Sequence, residues 1–349
     1  MERFIVSALK YRPQKFDELL GQQAIAATLK NAIKSNQLAQ SFLFCGPRGV
    51  GKTSCARILA KTINCENLSS SIDACGECLS CKSFQENSSF NIFELDAASN
   101  NSVDHIRSLT DQVRIPPQNG QYKIYIIDEV HMLSSAAFNA FLKTLEEPPP
   151  YAKFILATTE KHKIIPTILS RCQIYDFNRI SVSEIVDHLK HISEKEKIEY
   201  EEESLRIIAN KADGALRDAL SRYDRLISFS NGQLTYDQSF EHLNILDYDH
   251  FFRFTESFMM EDATQIMLHL DEIVQLGFEP EQMLQGLNEH FRNLLVSKDE
   301  RTTKLLEVGD EIIQRFLDQA RVVPAEFLLS ALNLVSESLG TAKLSNSLR

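Results

Sequence analysis

Apolar and polar positions follow two regimes along the chain. Up to residue 180, short continuous apolar runs at 41–45, 90–95, 122–129 and 154–159 alternate with segments at 22–34, 54–63 and 136–147 whose apolar residues recur at the helical interval. Continuous runs of this kind mark parallel strands buried on both faces, so this half predicts an α/β domain on a parallel sheet. The turn residues agree. Pro13 disfavours helix at Arg12, Gly21 marks a turn, Ser and Asn at 99–102 cap a helix beginning near Val103, and Pro148-Pro149-Pro150 stops the helix before it. Beyond residue 180 the strand pattern disappears. Helical periodicity covers 182–197, 202–212 and 215–228, broken at Gly214 and at Ser-Asn-Gly 230–232, and then 249–260, 262–276, 280–298, 310–320 and 325–339. Ile266, Leu270, Ile273 and Val274 are expected to form one buried stripe. The predicted division is 1–180, 181–241 and 242–349.

The first strand and the helix behind it enclose Gly46-Pro47-Arg48-Gly49-Val50-Gly51-Lys52-Thr53. Glycines at these positions let successive backbone N–H groups converge on a phosphate at the positive end of a helix. Lys52 would neutralise the outer phosphates of a nucleoside triphosphate, and the Thr53 hydroxyl would hold Mg²⁺. The run at 122–129 ends in Asp128-Glu129, 76 residues after Lys52. Ligands gather at the carboxyl ends of parallel strands. There Asp128 is expected to organise Mg²⁺ and its waters, and Glu129 to orient and deprotonate the water that attacks the γ-phosphate.

Three further features each admit a chemical and a plain reading. Thr158 and Thr159 reach the same sheet edge, where a hydroxyl can sense the γ-phosphate, or they are an ordinary β-branched strand end. Arg171 would touch a neighbour's phosphates if the protein works as a ring, and is otherwise a surface ion-pair former. Tyr11, Arg12 and the turn at Gly21 suit a purine pocket or plain scaffold, and the helix start at 99–102 suits a nucleic-acid phosphate or simple capping.

Composition narrows the setting. The net charge is −11, yet residues 1–180 carry 20 Lys and Arg against 17 Asp and Glu, while 181–349 carry 17 against 31. The chemistry sits on a neutral to basic half, and coating of nucleic acid by a single chain is disfavoured. No apolar run reaches the ~20 residues that span a bilayer, and Met1-Glu2-Arg3-Phe4 does not begin a secretory signal, so a cytoplasmic protein without membrane partners is expected. The last helical stretch runs to Leu344–Arg349 without a stop signal, as expected of a truncated chain. Of seven cysteines, four fall as Cys65-x9-Cys75-x2-Cys78-x2-Cys81. In reducing surroundings this spacing reads as tetrahedral Zn²⁺ with four thiolates and no open position, an architectural metal in a module at 65–86. Cys45, Cys55 and Cys172 are expected to be small packing residues.

Taken together, Gly46 to Thr53, the four-cysteine insertion, Asp128-Glu129-Val130-His131, Leu142-Lys143-Thr144-Leu145-Glu146-Glu147-Pro148-Pro149, Ala157-Thr158-Thr159 and Ser170-Arg171-Cys172 resemble the gamma/tau subunits of the bacterial DNA polymerase III clamp loader, which are AAA+ ATPases. The specific likeness runs from about Tyr11 to Arg225. It implies an AAA+ P-loop domain with an inserted zinc module, a small helical lid and an all-α collar that joins subunits in an arc. It implies that Lys52 and Thr53 bind ATP and Mg²⁺, that Asp128 and Glu129 are the Walker B pair, and that Thr159 stands at sensor 1, where many relatives have asparagine. Arg171 becomes a finger acting in trans, and Arg217, within Gly214-Ala215-Leu216-Arg217-Asp218-Ala219-Leu220, a sensor 2 arginine. The implied activity is ATP hydrolysis coupled to loading of a sliding clamp onto primer–template DNA in replication, with other clamp-loader subunits as partners. The implied setting is the DNA-directed DNA polymerase holoenzyme, a nucleotidyltransferase, although the chain shows no polymerase active site of its own. Two rivals share the motifs: a ring-forming DNA motor of the same superfamily, and a non-hydrolysing scaffold, against which the intact Lys52, Thr53, Asp128 and Glu129 stand.

Overall fold

The structure is a computed structural model and describes residues 5–342 apart from 87, 119, 231, 237, 238, 240–247, 276 and 307–309. The expected boundary at 241–242, the reading of Met1-Glu2-Arg3-Phe4 and that of Leu344–Arg349 lie outside the described residues. Two compact units are present, Met1–Leu189 with Lys211–Asp224, and Lys190–Asn210 with Arg225–Arg349.

The first unit is built on a five-stranded sheet, all parallel: β1 Ser41–Cys45, β2 Ile92–Asp96, β3 Lys123–Asp128, β4 Ala152–Thr158 and β5 Gln173–Asp176, in the order β2-β3-β4-β1-β5. Successive side chains on a strand point to opposite faces. Phe42, Phe44, Ile124, Ile126 and Ile155 therefore pack with the helices Gln23–Lys34 and Lys52–Ile63. Leu43, Tyr125, Ile127, Phe154 and Leu156 pack on the other face with Val103–Val113 and Ser135–Glu146. Along the three central strands both faces are dry, which is why β1, β3 and β4 read as unbroken apolar runs. The helix starts are fixed by Ser102 and Ser134, whose side chains accept from the amides of His105 and Ala137. Ring stacking ties the sheet centre together, with Phe93, Tyr125 and Phe154 in series at 5.2 and 5.6 Å.

One strand escaped the hydropathy pattern. β5 is a four-residue edge strand, and only Tyr175 of it is buried, so Gln173-Ile174-Tyr175-Asp176 carries no run to detect. What matters for function is the position of β4. It lies between β1 and β3, so the carboxyl ends of the three strands bring residues 46, 128 and 159 to one edge.

The second unit contains a short parallel pair, Glu199–Tyr200 with Gln233–Leu234, also unmarked by hydropathy. The helices Tyr248–Met259, Ala263–Gln275, Pro280–Val296, Asp310–Val322 and Ala325–Ala342 follow, within a residue or two of the predicted spans at most ends. Their core is aromatic: Phe251, Phe252, Phe254, Phe291 and Phe316 enclose Ile273, Leu287 and Leu294. The expected stripe needs one correction. Ile273 is buried and Ile266 and Leu270 pack against the core, but Val274 is 50% exposed. One residue past Ile273 is a rotation of about 100°, which carries Val274 off the core face. Among the described residues no single helix is long and apolar enough to cross a membrane.

His290 sits inside this aromatic core, 1% exposed, with Nε2 3.0 Å from Gln319 Oε1, while Gln319 Nε2 donates to the Phe252 carbonyl. Burial pushes its pKa down from 6.5 to about 4. The fold accepts the neutral ring, so this stabilisation is complete above the unfolded value and is lost as pH falls through the folded one. Urea unfolding of the second unit should lose on the order of 3 kcal/mol between neutral pH and about pH 4 from this group alone. In His290→Gln that part of the pH dependence should vanish.

Candidate active site and metal centre

The loop at 46–51 is held by its glycines. Gly46, Gly49 and Gly51 have φ of 146°, 79° and 101°, a region that side chains rarely occupy. A Cβ on Gly46 would lie 2.4 Å from the Phe177 carbonyl oxygen, and one on Gly49 3.0 Å from the Ala215 Cβ. Pro47 is half-buried, Arg48 exposed and Val50 buried. Gly51 caps the helix Lys52–Ile63, whose first-turn amides have no intrahelical acceptors and face the loop. Gly46 N donates to Thr158 O at 3.2 Å, which fastens the loop to the end of β4.

Lys52 is 6% exposed, and its ammonium donates to the carbonyls of Gly46 and Pro47 at 2.8 and 2.6 Å. Burial lowers its pKa, and the carboxylates of Glu129 and Asp128 oppose that shift. Thr53 Oγ1 donates to Asp128 Oδ2 at 2.6 Å, so an oxygen from the first turn of the helix after β1 and one from the end of β3 converge. Such a pair suits a hard divalent cation. Asp128 Oδ1 accepts from the Glu129 amide at 3.0 Å. Glu129 adopts the left-handed conformation, φ 47°, uncommon for a residue with a side chain. Its Oε2 accepts from the Thr159 amide at 3.1 Å and from the Thr159 hydroxyl at 2.9 Å. An open cleft of about 630 Å³ lies beside this edge, lined by Gly46, Pro47, Thr159, Lys161 and Asp176 among others.

Arg217 lies against the loop. Its amide donates to Gly49 O at 3.4 Å, and its Cβ would be 3.5 Å from a Cβ on Gly49. Arg171 is not brought to this edge. It lies two residues before β5, whose first residue Gln173 is in register with Phe42 and so already about 13 Å of strand from the loop, which puts Arg171 at the amino end of the sheet. There its guanidinium donates to Glu146 Oε1 at 2.8 Å and to Thr167 O at 2.7 Å.

The four cysteine sulfurs at 65, 75, 78 and 81 lie within 4.8 Å of one another. Cys65 and Cys75 are 3.5 Å apart, and no disulfide is formed. Four thiolates at about 2.3 Å from a tetrahedral Zn²⁺ would be separated by about 3.8 Å, so this donor set fits the ion. Amides of Glu77 and Cys78 donate to Cys75 Sγ and lower its pKa to about 6, favouring the ligating thiolate. Cys45 and Cys55 are buried among apolar side chains as expected, and burial raises the Cys45 thiol to about 11.

Comparison with known proteins gives the family. Residues 21–181 match the family described as DNA polymerase III, delta subunit, and residues 184–232 that described as DNA polymerase III clamp loader subunit, ATPase lid domain. The chain is 40% identical over 336 residues to DNA polymerase III subunit tau of Bacillus subtilis, covering 96% of this chain and 60% of that one. It is 39% identical over 279 residues to DNA polymerase III subunit gamma of Buchnera aphidicola, covering 80% of this chain and 77% of that one. The chain belongs to the DNA polymerase III gamma/tau family. It spans 60% and 43% of the length of the tau subunits of Bacillus subtilis and Escherichia coli. Among solved structures, the Thermotoga maritima RuvB Holliday junction branch migration motor aligns with a TM-score of 0.51 at 20% identity, over 71% of this chain and 78% of that one, a likeness of fold alone.

Two side chains beside this site make contacts that their sequence positions do not reveal. His131 was visible only as the last letter of Asp128-Glu129-Val130-His131, and nothing in its spacing revealed that its ring lies 3.0 Å from Thr158 Oγ1. Arg12, considered only for a purine pocket, has Nε 3.4 Å from the hydroxyl of Ser54, next to Thr53. Burial first, then the charge of Arg57, lowers its pKa.

The glycine geometry makes a direct prediction. Gly46→Ala should strain the loop by about 1–3 kcal/mol and lower the melting temperature of the first unit, because the backbone of Phe177 blocks the added methyl. A melting curve that coincides with that of the unmodified protein would contradict this packing.

Proposed function

We propose that this chain is an ATP-dependent clamp-loader subunit that binds and hydrolyses ATP to load a ring-shaped sliding clamp onto primer–template DNA. The observation that carries the reading is the 2.6 Å approach of Thr53 Oγ1 to Asp128 Oδ2 directly behind the buried Lys52, in a chain of the gamma/tau family. On this reading residues 46–53 cradle the triphosphate, the amides and Lys52 meeting its oxygens. Thr53 and Asp128 would hold Mg²⁺, which when bound neutralises phosphate charge. Glu129 accepts a proton from the attacking water, held for it by Thr159. Arg217 meets the nucleotide from the helix beside the loop. Arg171, at the far end of the sheet, serves the nucleotide of a neighbouring subunit, and its distance from its own loop supports that role.

Cys65, Cys75, Cys78 and Cys81 hold structural Zn²⁺. The division into 1–180, 181–241 and 242–349 is supported in its middle part by the lid match at 184–232. The partners are other clamp-loader subunits, a sliding clamp and primer–template DNA, gripped by sequence-independent phosphate contacts, and the location is the cytoplasm.

Two measurements test these assignments. Lys52→Ala should abolish binding of a fluorescent ATP analogue, whereas Arg171→Ala should bind it within about two-fold and lose ~10³-fold or more of the hydrolysis stimulated by DNA and partner subunits. Clamp loading by Lys52→Ala at the unmodified rate would favour the scaffold reading. For the metal, elemental analysis should find Zn²⁺ equimolar with protein. Replacing Cys75 and Cys78 by Ser should remove it and lower the melting temperature of the first unit.

A further inference from the structure

We infer that His131 is a positioning residue for the Glu129 carboxylate, an inference that rests on the ATPase reading above. The ring is almost fully enclosed, its side chain 6% exposed, in the short turn Val130–Met132 that follows Glu129. Both ring nitrogens are engaged. Nδ1 is 3.0 Å from Thr158 Oγ1 and 3.4 Å from Glu129 Oε2, and Nε2 is 3.4 Å from Glu160 Oε1. His131 therefore joins the loop after β3, which carries the general base, to the loop after β4, which carries Thr158, Thr159 and Glu160.

The hydrogen-bond inventory explains why a histidine is needed. Thr158 is fully buried, and its Oγ1 already accepts the Glu160 amide at 3.0 Å. Its hydroxyl proton still needs an acceptor, and Nδ1 of the Nε2–H tautomer is the nearby one, which directs the ring N–H to Glu160. Glu160 is itself anchored by Lys163 at 2.8 Å. The chain Lys163, Glu160, His131, Thr158 fixes the imidazole; in this tautomer Nδ1 offers no donor to Glu129, and the ring acts on the carboxylate by fixing Thr158 and with it the adjoining Thr159, whose amide and hydroxyl hold Oε2. One oxygen of Glu129 is pinned in this way, and the other remains for water.

Without the ring, Thr158 loses its acceptor, and Glu129, on a left-handed backbone, is free to swing about a single pair of bonds from Thr159. Misplacing a general base by about 1 Å costs ~100-fold. The triphosphate cradle at 46–53 makes no use of His131, so nucleotide affinity should be untouched.

The test uses the full chain assembled with its partner subunits and DNA. Fluorescent-ATP affinity and single-turnover hydrolysis are measured for the unmodified protein, Glu129→Gln, His131→Ala and His131→Asn. In His131→Ala hydrolysis should fall about 10- to 100-fold with affinity within about two-fold. In His131→Asn, whose amide reaches the Nδ1 position, most of the rate should return. Hydrolysis by His131→Ala at the unmodified rate, or a failure of Asn to restore any of it while the protein stays folded, overturns the inference. Equal loss of affinity and rate in both variants makes the ring merely structural and overturns it too. An unmodified protein that does not hydrolyse ATP, or a Glu129→Gln protein that does so at full rate, instead overturns the ATPase reading.

Discussion

Thr53, in the first turn of the helix after β1, and Asp128, at the end of β3, meet at 2.6 Å although β1 and β3 are not neighbours, and the rest of the site depends on how that meeting is enforced. β4 is inserted between β1 and β3, in register with both. A central strand with β1 on one side and β3 on the other fixes the separation of the phosphate loop and the acidic pair to two strand spacings, about 9.5 Å between strand axes. The Thr53 and Asp128 side chains bridge that gap over the end of β4. The strand that sets the gap also furnishes Thr159 at the midpoint, where it holds Glu129. The place of the loop, the place of Asp128 and the hold of Thr159 on Glu129 thus follow from one sheet order, and the dry faces of the central strands keep their register from slipping.

Much of this was legible in the sequence, for identifiable reasons. The loop glycines, Lys52, Thr53 and the four cysteines occur at spacings imposed by chemistry that acts within a few residues, so the pattern survives in one dimension, and Asp128 is legible because it closes the apolar run of a buried strand. The strands of the sheet centre were legible because burial on both faces makes them continuous. β5 and the pair Glu199–Tyr200 with Gln233–Leu234 were not, since a four-residue strand with only Tyr175 buried, or a two-residue bridge, leaves no apolar run in the sequence. Val274 leaves the stripe because helical spacing admits both it and Ile273, and a rotation of one residue carries it outward. His131 and Arg12 were hidden for another reason. Their partners Thr158 and Ser54 are 27 and 42 residues away, and only the folded sheet brings them together.

The two units answer different demands. The first joins a neutral to basic composition to a cleft at the carboxyl edge of a sheet, with Lys52, Arg12 and Arg217 disposed around the loop. The second is acidic on its surface and aromatic in its core, where His290 is kept neutral by Phe252 and Phe316 at 4.8 and 5.1 Å. Arg171 belongs by sequence to the first unit yet is turned away from the edge that carries residues 46–53 and toward Glu146, as our proposal of a finger acting in trans requires. In our proposal the ATP cycle and the assembly of subunits are linked at this residue.

The central claim is that residues 46–53 and the pair at 128 and 129 form one triphosphate site. The most direct measurement is a crystal structure of the full chain grown with a nonhydrolysable ATP analogue and Mn²⁺, whose anomalous signal locates the cation. The account predicts phosphate density against the amides of the loop and an anomalous peak between Thr53 and Asp128. An empty loop, or a cation bound away from both residues, would contradict it.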